Sequence, residues 1–378
     1  MIKIKGAKTY INGQFEEKDI FIDNNSGKIR FDGNSETVID ARGMFAVPGF
    51  IDIHIHGAMG CDFNDGSPDG IDTIAQFVAS HGTTCLLATT STISADAEKN
   101  AVSAIKEKML TGTKGACIGG LHMEGPFFNP SALGAQNPEY VQKPSFENLE
   151  SMLGENISLL KLLALAPETD GAFELIEKLS SKGIRTAVGH TAADYATVVN
   201  AINSGCNMMT HFYNAMTPLK HREPGAVGAV FDNGHADIQL ICDLIHVHPA
   251  AIRIAVNNVG EDHVIMISDA ISGTGLGDGK YNLGGLDIFV NNGIARIKEG
   301  NLAGSTLTLD TALKNMIKSG FKAETAIKFL TENPAKAIKL DNCKGFIKDG
   351  FDADIVLLDS DFNVLKTFVN GKQVFSAQ

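Results

Sequence analysis

Apolar and polar positions follow one pattern at the two ends of the chain and another in the middle. The first 45 residues and about the last 35 consist of short stretches in which apolar and polar residues alternate. Alternation with a period of two predicts strands with one buried face. These stretches are broken at Asn12-Gly13, Asp32-Gly33, Asp349-Gly350 and Asn370-Gly371, dipeptides that favour tight turns. We therefore expect both ends to be β-rich and, because chain termini often meet, to form one small domain together.

Between these ends, nearly continuous apolar runs alternate with segments of helical periodicity such as 70–80 and 100–110. Runs that are apolar throughout suit strands that are buried on both faces. We identify eight, at residues 46–56, 83–89, 117–124, 161–166, 184–190, 207–211, 238–243 and 264–269. Eight parallel strands with helical crossovers predict a (β/α)8 TIM-like barrel, although counting alone also permits a doubly wound open sheet.

The predicted fold class is therefore α/β, with a barrel and a small β-sandwich domain. We place the two parts of the small domain at residues 1–47 and 344–378, and the barrel at residues 48–343. Residues 271–303, after the eighth run, are rich in glycine and polar side chains, and helical periodicity returns at about residue 305. This segment is interpreted either as a lid or as a simple hairpin insertion.

Composition narrows the classes of partner. Of the 378 residues, 44% are apolar and 20% are charged, and the net charge is −12 without any long Lys/Arg run. Nucleic acid and anionic membranes both reward dense positive charge, so we expect neither as a partner, whereas a small anionic ligand fits a local pocket. We see neither a bilayer-length apolar segment nor a secretory signal. The six scattered cysteines lack a CxxC pair, which predicts reduced thiols and a cytoplasmic protein.

Imidazoles and carboxylates are placed at the ends of five of the eight runs. The carboxyl ends of barrel strands form one face, and side chains two apart on a strand point the same way. A lone histidine at such a place is more often structural than functional, but six placements together favour a metal site for zinc or ferrous iron. The six residues are His54, His56, Glu124, His190, His211 and Asp269.

Two segments resemble the opening and closing motifs of the amidohydrolase superfamily. They are VPGFIDIHIHG at 47–57 and GFIKDGFDADIV at 345–356. Five central segments are similar to those of N-acetylglucosamine-6-phosphate deacetylases: HMEGPF at 122–127, GHT at 189–191, HFYNAM at 211–216, REPG at 222–225 and SDA at 268–270. The resemblance covers nearly the whole chain, with the motifs in the expected order.

This resemblance implies metal-dependent deacetylation of N-acetyl-D-glucosamine 6-phosphate to D-glucosamine 6-phosphate and acetate, in amino-sugar catabolism or recycling. It makes Glu124, His190 and His211 the main metal ligands and Asp269 the catalytic acid/base. Some family members lack the paired histidines of the first strand; this chain keeps His54 and His56, so one or two ions, Zn²⁺ or Fe²⁺, are expected per subunit. A homodimer is also implied.

The same resemblance assigns residues to the sugar phosphate. They are Ala135, Gln136, Asn214, Ala215, Arg222, Asp243, His246, Leu302, Ala303 and Gly304. Some family members carry histidine at the position of Gln136, which leaves its role open. Arg222 suits a phosphate because its planar guanidinium makes two charge-assisted hydrogen bonds. Without the resemblance, the sequence alone favours a surface ion pair with Glu223 for this arginine.

The chemistry is consistent with these residue types. An acetamide resists hydrolysis, and a divalent metal both lowers the pKa of water and polarises the carbonyl. Asp269 can take a proton from the attacking water and return it to the departing amine.

Four alternatives remain. One is a deacetylase of the galactosamine 6-phosphate epimer, which differs at one hydroxyl. Dihydroorotase-like enzymes place a carboxylated lysine between two metals, but Glu124 already supplies a carboxylate at the end of the third run. Nucleobase deaminases pair a later histidine with a nearby glutamate, and only Asp194 follows His190 closely. A non-catalytic scaffold of the same fold would bind no stoichiometric metal.

Overall fold

Eight parallel strands form the centre of the molecule. The computed structural model describes residues 1–377. Each strand pairs in parallel with the next along the chain, and the eighth lies beside the first, where the Asp269 amide donates to the His54 carbonyl at 2.9 Å. The predicted barrel is confirmed. Its strands are Phe50–Ile55, Thr83–Thr90, Cys117–Glu124, Leu160–Leu165, Arg185–Val188, Met208–Met209, Asp237–Ile241 and Val264–Ile267.

The first predicted run divides between the two sheets. Phe45–Pro48 belongs to the small domain and Phe50–Ile55 to the barrel, with Gly49 between them. A Cβ at Gly49 would lie 2.0 Å from the Thr84 Oγ1 atom, so only glycine allows the backbone to pack this closely against Thr84. Hydrophobicity is continuous across this point because both strands are buried, and the sequence pattern therefore did not reveal the division.

Helices cover the outside of the barrel. The first, Pro68–Ser80, begins where the Ser67 side chain accepts from the Gly70 amide and where Pro68 occupies the first turn; such a cap contributes about 1 kcal/mol. Its buried Ile71, Ile74 and Val78 fall on one face, as the periodicity predicts. The other helices are Ala95–Thr111, Phe146–Leu153, Ala172–Ser181, Tyr195–Asn203, Gly225–Asn233, Pro249–Val259, Leu309–Lys318, Ala323–Leu330 and Glu332–Ala337, with short 3₁₀ turns at Phe63–Asp65, Pro138–Tyr140, Gly154–Leu159 and Glu261–His263.

The two ends of the chain share one sheet, as expected from their alternating patterns and from the tendency of chain termini to meet. In spatial order its six strands are Lys372–Ser376, Val364–Val369, Ile355–Leu358, Phe45–Pro48, Lys8–Ile11 and Gln14–Glu17. A second sheet consists of Lys28–Arg30, Ile20–Asp23, Ile2–Lys5 and Thr37–Asp40. A separate buried cluster that includes Ile4, Ile20, Ile355 and Phe368 joins these sheets. The domain boundaries at 47/48 and 343/344 remain predictions, and Gln378 lies outside the described residues.

The glycine-rich segment after the eighth strand is a three-stranded antiparallel insertion. Its strands are Gly279–Leu283, Leu286–Asn291 and Ile294–Ile297. A short two-stranded ladder, Gly57–Ala58 with Cys61–Asp62, follows the first barrel strand. No helix within residues 1–377 is both long enough and apolar enough to cross a membrane.

Candidate active site

Three of the predicted site residues lie just beyond their strands, at points where the backbone leaves the sheet. His190, His211 and Asp269 have φ of 47°, 29° and 50°. This left-handed region is uncommon for residues with a side chain, and such strain concentrates at functional sites. The turn directs the three side chains towards the barrel axis, where they meet the side chains of His54, His56 and Glu124.

The first group of potential ligands consists of Glu124, His190 and His211. The Glu124 Oε1 atom lies 3.1 Å from the Nε2 atom of His190 and 3.1 Å from that of His211. The two Nε2 atoms lie 3.0 Å apart. All three side chains are buried. One carboxylate oxygen and two ring nitrogens therefore face a single point.

The second group consists of His54, His56 and Asp269, next to the first. The Nε2 atoms of the two histidines lie 3.3 Å apart, and the Asp269 Oδ1 atom lies 3.5 Å from that of His54 and 3.4 Å from that of His56. Glu124 lies between the groups, since its Oε2 atom is 3.2 Å from the His56 Nε2 atom. In each group, one potential ligand atom from every residue lies within 4.8 Å of the others.

The hydrogen bonds behind the rings fit a metal site. The Nδ1 atom of His54 faces the Gln239 Oε1 atom at 3.1 Å, that of His190 faces the Ala132 carbonyl at 3.3 Å, and that of His211 faces the Asn214 carbonyl at 3.2 Å. An acceptor at Nδ1 fixes the tautomer that carries its proton there and leaves the Nε2 lone pair free for a metal. The chain therefore provides a buried site with ligands suited to a divalent metal.

The acids of this site are held ionised by their surroundings. Burial alone would raise the pKa of the Glu124 carboxyl, but the imidazoles of His54, His190 and His211 hold it well below its usual range. Burial likewise opposes ionisation of Asp269, and the neighbouring His54 and His56 keep the pKa of its carboxyl low. Both side chains are thus in the charged form that a ligand or a general base requires.

The two groups lie at the bottom of a cavity of about 470 Å³, a size typical of small-molecule sites. Of the residues predicted for metal, catalysis or substrate, most line it: His56, Glu124, Ala135, Gln136, His190, His211, Asn214, Ala215, His246, Asp269, Leu302 and Gly304. His54 lies immediately below the lining and is fully buried. Three others are not part of the lining. Ala303 is buried between Leu302 and Gly304, Asp243 lies behind His246, and Arg222 is on an exposed loop.

Two predicted substrate residues make contacts that suggest positioning. The Asp243 Oδ2 atom lies 2.7 Å from the His246 Nδ1 atom, and its Oδ1 atom accepts from the His246 amide at 2.8 Å. This pair directs the His246 ring into the cavity. The Gln136 Nε2 atom donates to the Glu124 Oε2 atom at 2.5 Å, and its Oε1 atom accepts from the Thr92 amide at 2.8 Å. Gln136 therefore orients the central carboxylate in this structure.

Sequence reasoning missed several residues at the mouth of the cavity. The most notable is Arg296, in the last strand of the insertion, whose Nη1 atom donates to the Gly300 carbonyl at 2.6 Å. Leu283, Gly300 and Asn301 also come from or follow the insertion, and Ile241 ends the seventh strand. Apart from Leu302 and Ala303, which the family resemblance assigns to the substrate, the segment 271–303 is interpreted from its sequence only as a lid or a hairpin, and its sequence does not indicate which other side chains face the barrel.

This fold and this site define the class of the protein. Residues 45–374 match the model of the amidohydrolase family, and the chain belongs to that family, hydrolases that cleave amide bonds.

Its similarity to known proteins is more specific. It is 37% identical to the N-acetylglucosamine-6-phosphate deacetylase of Bacillus subtilis (strain 168), over 87% of this chain and 84% of that one. It is 35% identical to the N-acetylgalactosamine-6-phosphate deacetylase of Escherichia coli O157:H7, over 86% of both. A structure of a mutant N-acetyl-D-glucosamine-6-phosphate deacetylase from Mycobacterium smegmatis, in complex with N-acetyl-D-glucosamine-6-phosphate, is similar with a TM-score of 0.91, 28% identity and 99% coverage of both chains.

Proposed function

We propose that the chain hydrolyses the acetamide of N-acetyl-D-glucosamine 6-phosphate, giving D-glucosamine 6-phosphate and acetate for amino-sugar metabolism. The observation that carries this proposal is the cavity. It has buried carboxylates and imidazoles at one end and hydrogen-bonding groups suited to an anion at the other. The relatives named above act on N-acetylated sugar phosphates, which supports the same substrate class here.

Glu124, His190 and His211 are proposed to hold the main metal ion, with a second, weaker site at His54 and His56. A mixture of imidazole and carboxylate ligands suits Zn²⁺ or Fe²⁺. A bound divalent ion would polarise the amide carbonyl and lower the pKa of water near it.

Asp269 is proposed as the general base and then the general acid. Its Oδ1 atom lies 3.5 Å from the His54 Nε2 atom and 3.4 Å from that of His56, and its backbone amide donates to the His54 carbonyl at 2.9 Å. In this proposal it accepts a proton from the attacking water. The water oxygen bonds to the amide carbon, the C–N bond then breaks to leave acetate, and Asp269 returns the proton to the amine nitrogen of the sugar.

The phosphate end of the substrate is proposed to lie over Asn214, Ala215 and His246. Asp243 holds the His246 ring in position, and Arg296 adds positive charge at the mouth. Arg222 remains our predicted bidentate phosphate ligand, although it lies on the exposed loop outside the cavity of a single chain. Ala135, Gln136, Leu302, Ala303 and Gly304 are proposed to surround the sugar and acetamide.

Assembly and location are also proposals. A homodimer rests on the family resemblance. Each of the six cysteines is free rather than in a disulfide, which supports a reducing compartment, the cytoplasm.

The function is tested by measuring acetate release from three substrates: N-acetylglucosamine 6-phosphate, its galactosamine epimer and unphosphorylated N-acetylglucosamine. We expect turnover to be fastest on the first, to disappear when a chelator removes the metal, and to return with Zn²⁺ or Fe²⁺. Faster hydrolysis of the galactosamine epimer would replace the proposed substrate. A protein without stoichiometric metal or activity would support the scaffold alternative.

A further inference from the structure

The imidazole of His56 differs from those of His54, His190 and His211 at its Nδ1 atom, which points away from the proposed metal site. The Nδ1 atoms of His54, His190 and His211 each face an acceptor at 3.1 to 3.3 Å. The Nδ1 atom of His56 is buried and has no hydrogen-bond partner among the described residues. A neutral imidazole that binds a metal through Nε2 carries its proton on Nδ1, and burying that proton without an acceptor is unfavourable.

A complementary group lies close by along the chain. Asp62 is 7% exposed, and its Oδ1 atom accepts from the Asn64 amide at 2.8 Å. Its Oδ2 atom is buried and, within residues 1–377, has no partner either. A buried carboxylate oxygen requires a donor just as a buried imidazole N–H requires an acceptor.

The backbone holds these two residues side by side. Asp62 pairs with Gly57, the residue directly after His56, in the two-stranded ladder, and the Phe63 amide donates to the His56 carbonyl at 2.9 Å. A Cβ at Gly57 would lie 2.1 Å from the Cys61 carbonyl oxygen, so glycine is required for the ladder to close this tightly. The ladder thus places Asp62 opposite the residue that directly follows His56.

We propose that Asp62 is the positioning residue of His56: through one bridging water molecule its carboxylate accepts a hydrogen bond from the Nδ1–H group, and so directs the Nε2 lone pair at the second metal ion. This inference rests on the proposed metal site and deepens it. Asp62 binds no metal itself in this proposal. It selects the tautomer and orientation of a ligand, an effect that in metalloproteins typically changes metal affinity about 10- to 100-fold.

The test compares Asp62→Asn with a matched control, Asp65→Asn. Asp65 belongs to the same capping arrangement, since its Oδ2 atom accepts from the Asp62 amide at 2.9 Å, but it lies outside the ladder that pairs Asp62 with Gly57. Zn²⁺ bound per chain is measured at graded free Zn²⁺, which resolves the tight and the weak ion. We expect Asp62→Asn to weaken the second ion about 10- to 100-fold and to leave the first unchanged, and Asp65→Asn to leave both unchanged.

Thermal unfolding of the metal-free proteins shows whether either variant acts through folding. Equal weakening of the second ion in both variants would overturn the proposal, because the capping turn rather than the carboxylate would then matter. Unchanged binding in Asp62→Asn would overturn it as well. A wild-type protein that binds one ion tightly and no second would overturn it while leaving the main site and the proposed hydrolysis intact.

Discussion

The two ends of the cavity are built differently. At the metal end, six side chains from the first, third, fifth, sixth and eighth strands are buried and contact one another at 3.0 to 3.5 Å. At the proposed phosphate end, the groups come from loops and from the insertion: Asn214 is only partly buried and Arg296 is exposed, while Arg222 is exposed outside the cavity.

This difference has a physical cause. Amide hydrolysis requires atoms fixed to within fractions of an ångström, and residues at the ends of packed strands provide that precision. Binding a dianion requires charge and hydrogen-bond donors, which loops supply with more freedom to move. We therefore expect substitutions at the metal end to reduce turnover or metal content, and substitutions at the phosphate end to change selectivity.

The largest effect is expected from Asp269→Asn. The amide keeps the size of the side chain but cannot accept the water proton, so turnover should fall by about 10² to 10⁴. Metal content should remain near that of the wild type, because Glu124, His190 and His211 are untouched. Acetate release and metal analysis measure the two quantities. Near-normal turnover would remove Asp269 from the mechanism, and loss of the metal would make it chiefly a ligand.

The next effect separates the two ligand groups. Replacing His54 and His56 together by alanine should lower metal content by about one equivalent, because their group is separate from that of Glu124, His190 and His211. His235→Ala, an exposed histidine outside both groups, is the control. Elemental analysis of dialysed proteins gives the stoichiometry. Complete loss of metal would show that the first-strand pair belongs to the main site.

A smaller and more selective loss is expected at Arg222. Hydrogen bonds to charged groups contribute about 1.5–3 kcal/mol, so Arg222→Ala should lower kcat/KM for the phosphorylated sugar about 10- to 100-fold. Arg222→Lys should lower kcat/KM less, because lysine keeps the positive charge but lacks the planar guanidinium that makes two hydrogen bonds.

Neither Arg222 variant should change hydrolysis of the unphosphorylated sugar, and Lys220→Ala, on the same exposed loop, serves as the control. Equal losses on both substrates would give Arg222 a structural role. Unchanged kcat/KM on both substrates would mean that the cavity-lining groups bind the phosphate without Arg222.

The smallest effect is expected from Arg296→Ala. This guanidinium lines the mouth but is exposed, and exposed charges are screened by salt. We expect a few-fold rise in KM for the phosphorylated sugar at low salt that disappears near 1 M salt. Steady-state kinetics at both salt concentrations measure it. A loss in kcat that persists at high salt would place Arg296 closer to the reacting amide than proposed.

The metal end and the barrel could be predicted from the sequence because their physical signals are local. A strand buried on both faces is continuously apolar, so a histidine or an acid at its end stands out, as at Gly189-His190 and Ser268-Asp269. The division at Gly49 did not stand out, because the strands on both sides of it are equally apolar.

The sequence shows no comparable local signal for the residues at the proposed phosphate end. Arg296 lies in a hairpin of alternating apolar and polar residues, and the sequence does not distinguish it from the other polar side chains there. Which of them faces the cavity depends on how the insertion packs against the barrel, a long-range property. Asp62 was missed for a related reason: its significance depends on the unpaired atoms of two residues, and these become visible only in three dimensions.

The sheet shared by the two ends of the chain has a consequence for synthesis on the ribosome. Phe45–Pro48, which leads directly into the strand of His54 and His56, pairs with Ile355–Leu358. An emerging nascent chain therefore holds Phe45–Pro48 without this partner until residues 355–358 have been translated. Domains generally fold as units during synthesis, and apolar strands that wait for distant partners are exposed to aggregation. Premature termination shortly before residue 355 would release a chain that contains every proposed metal ligand but lacks this partner strand.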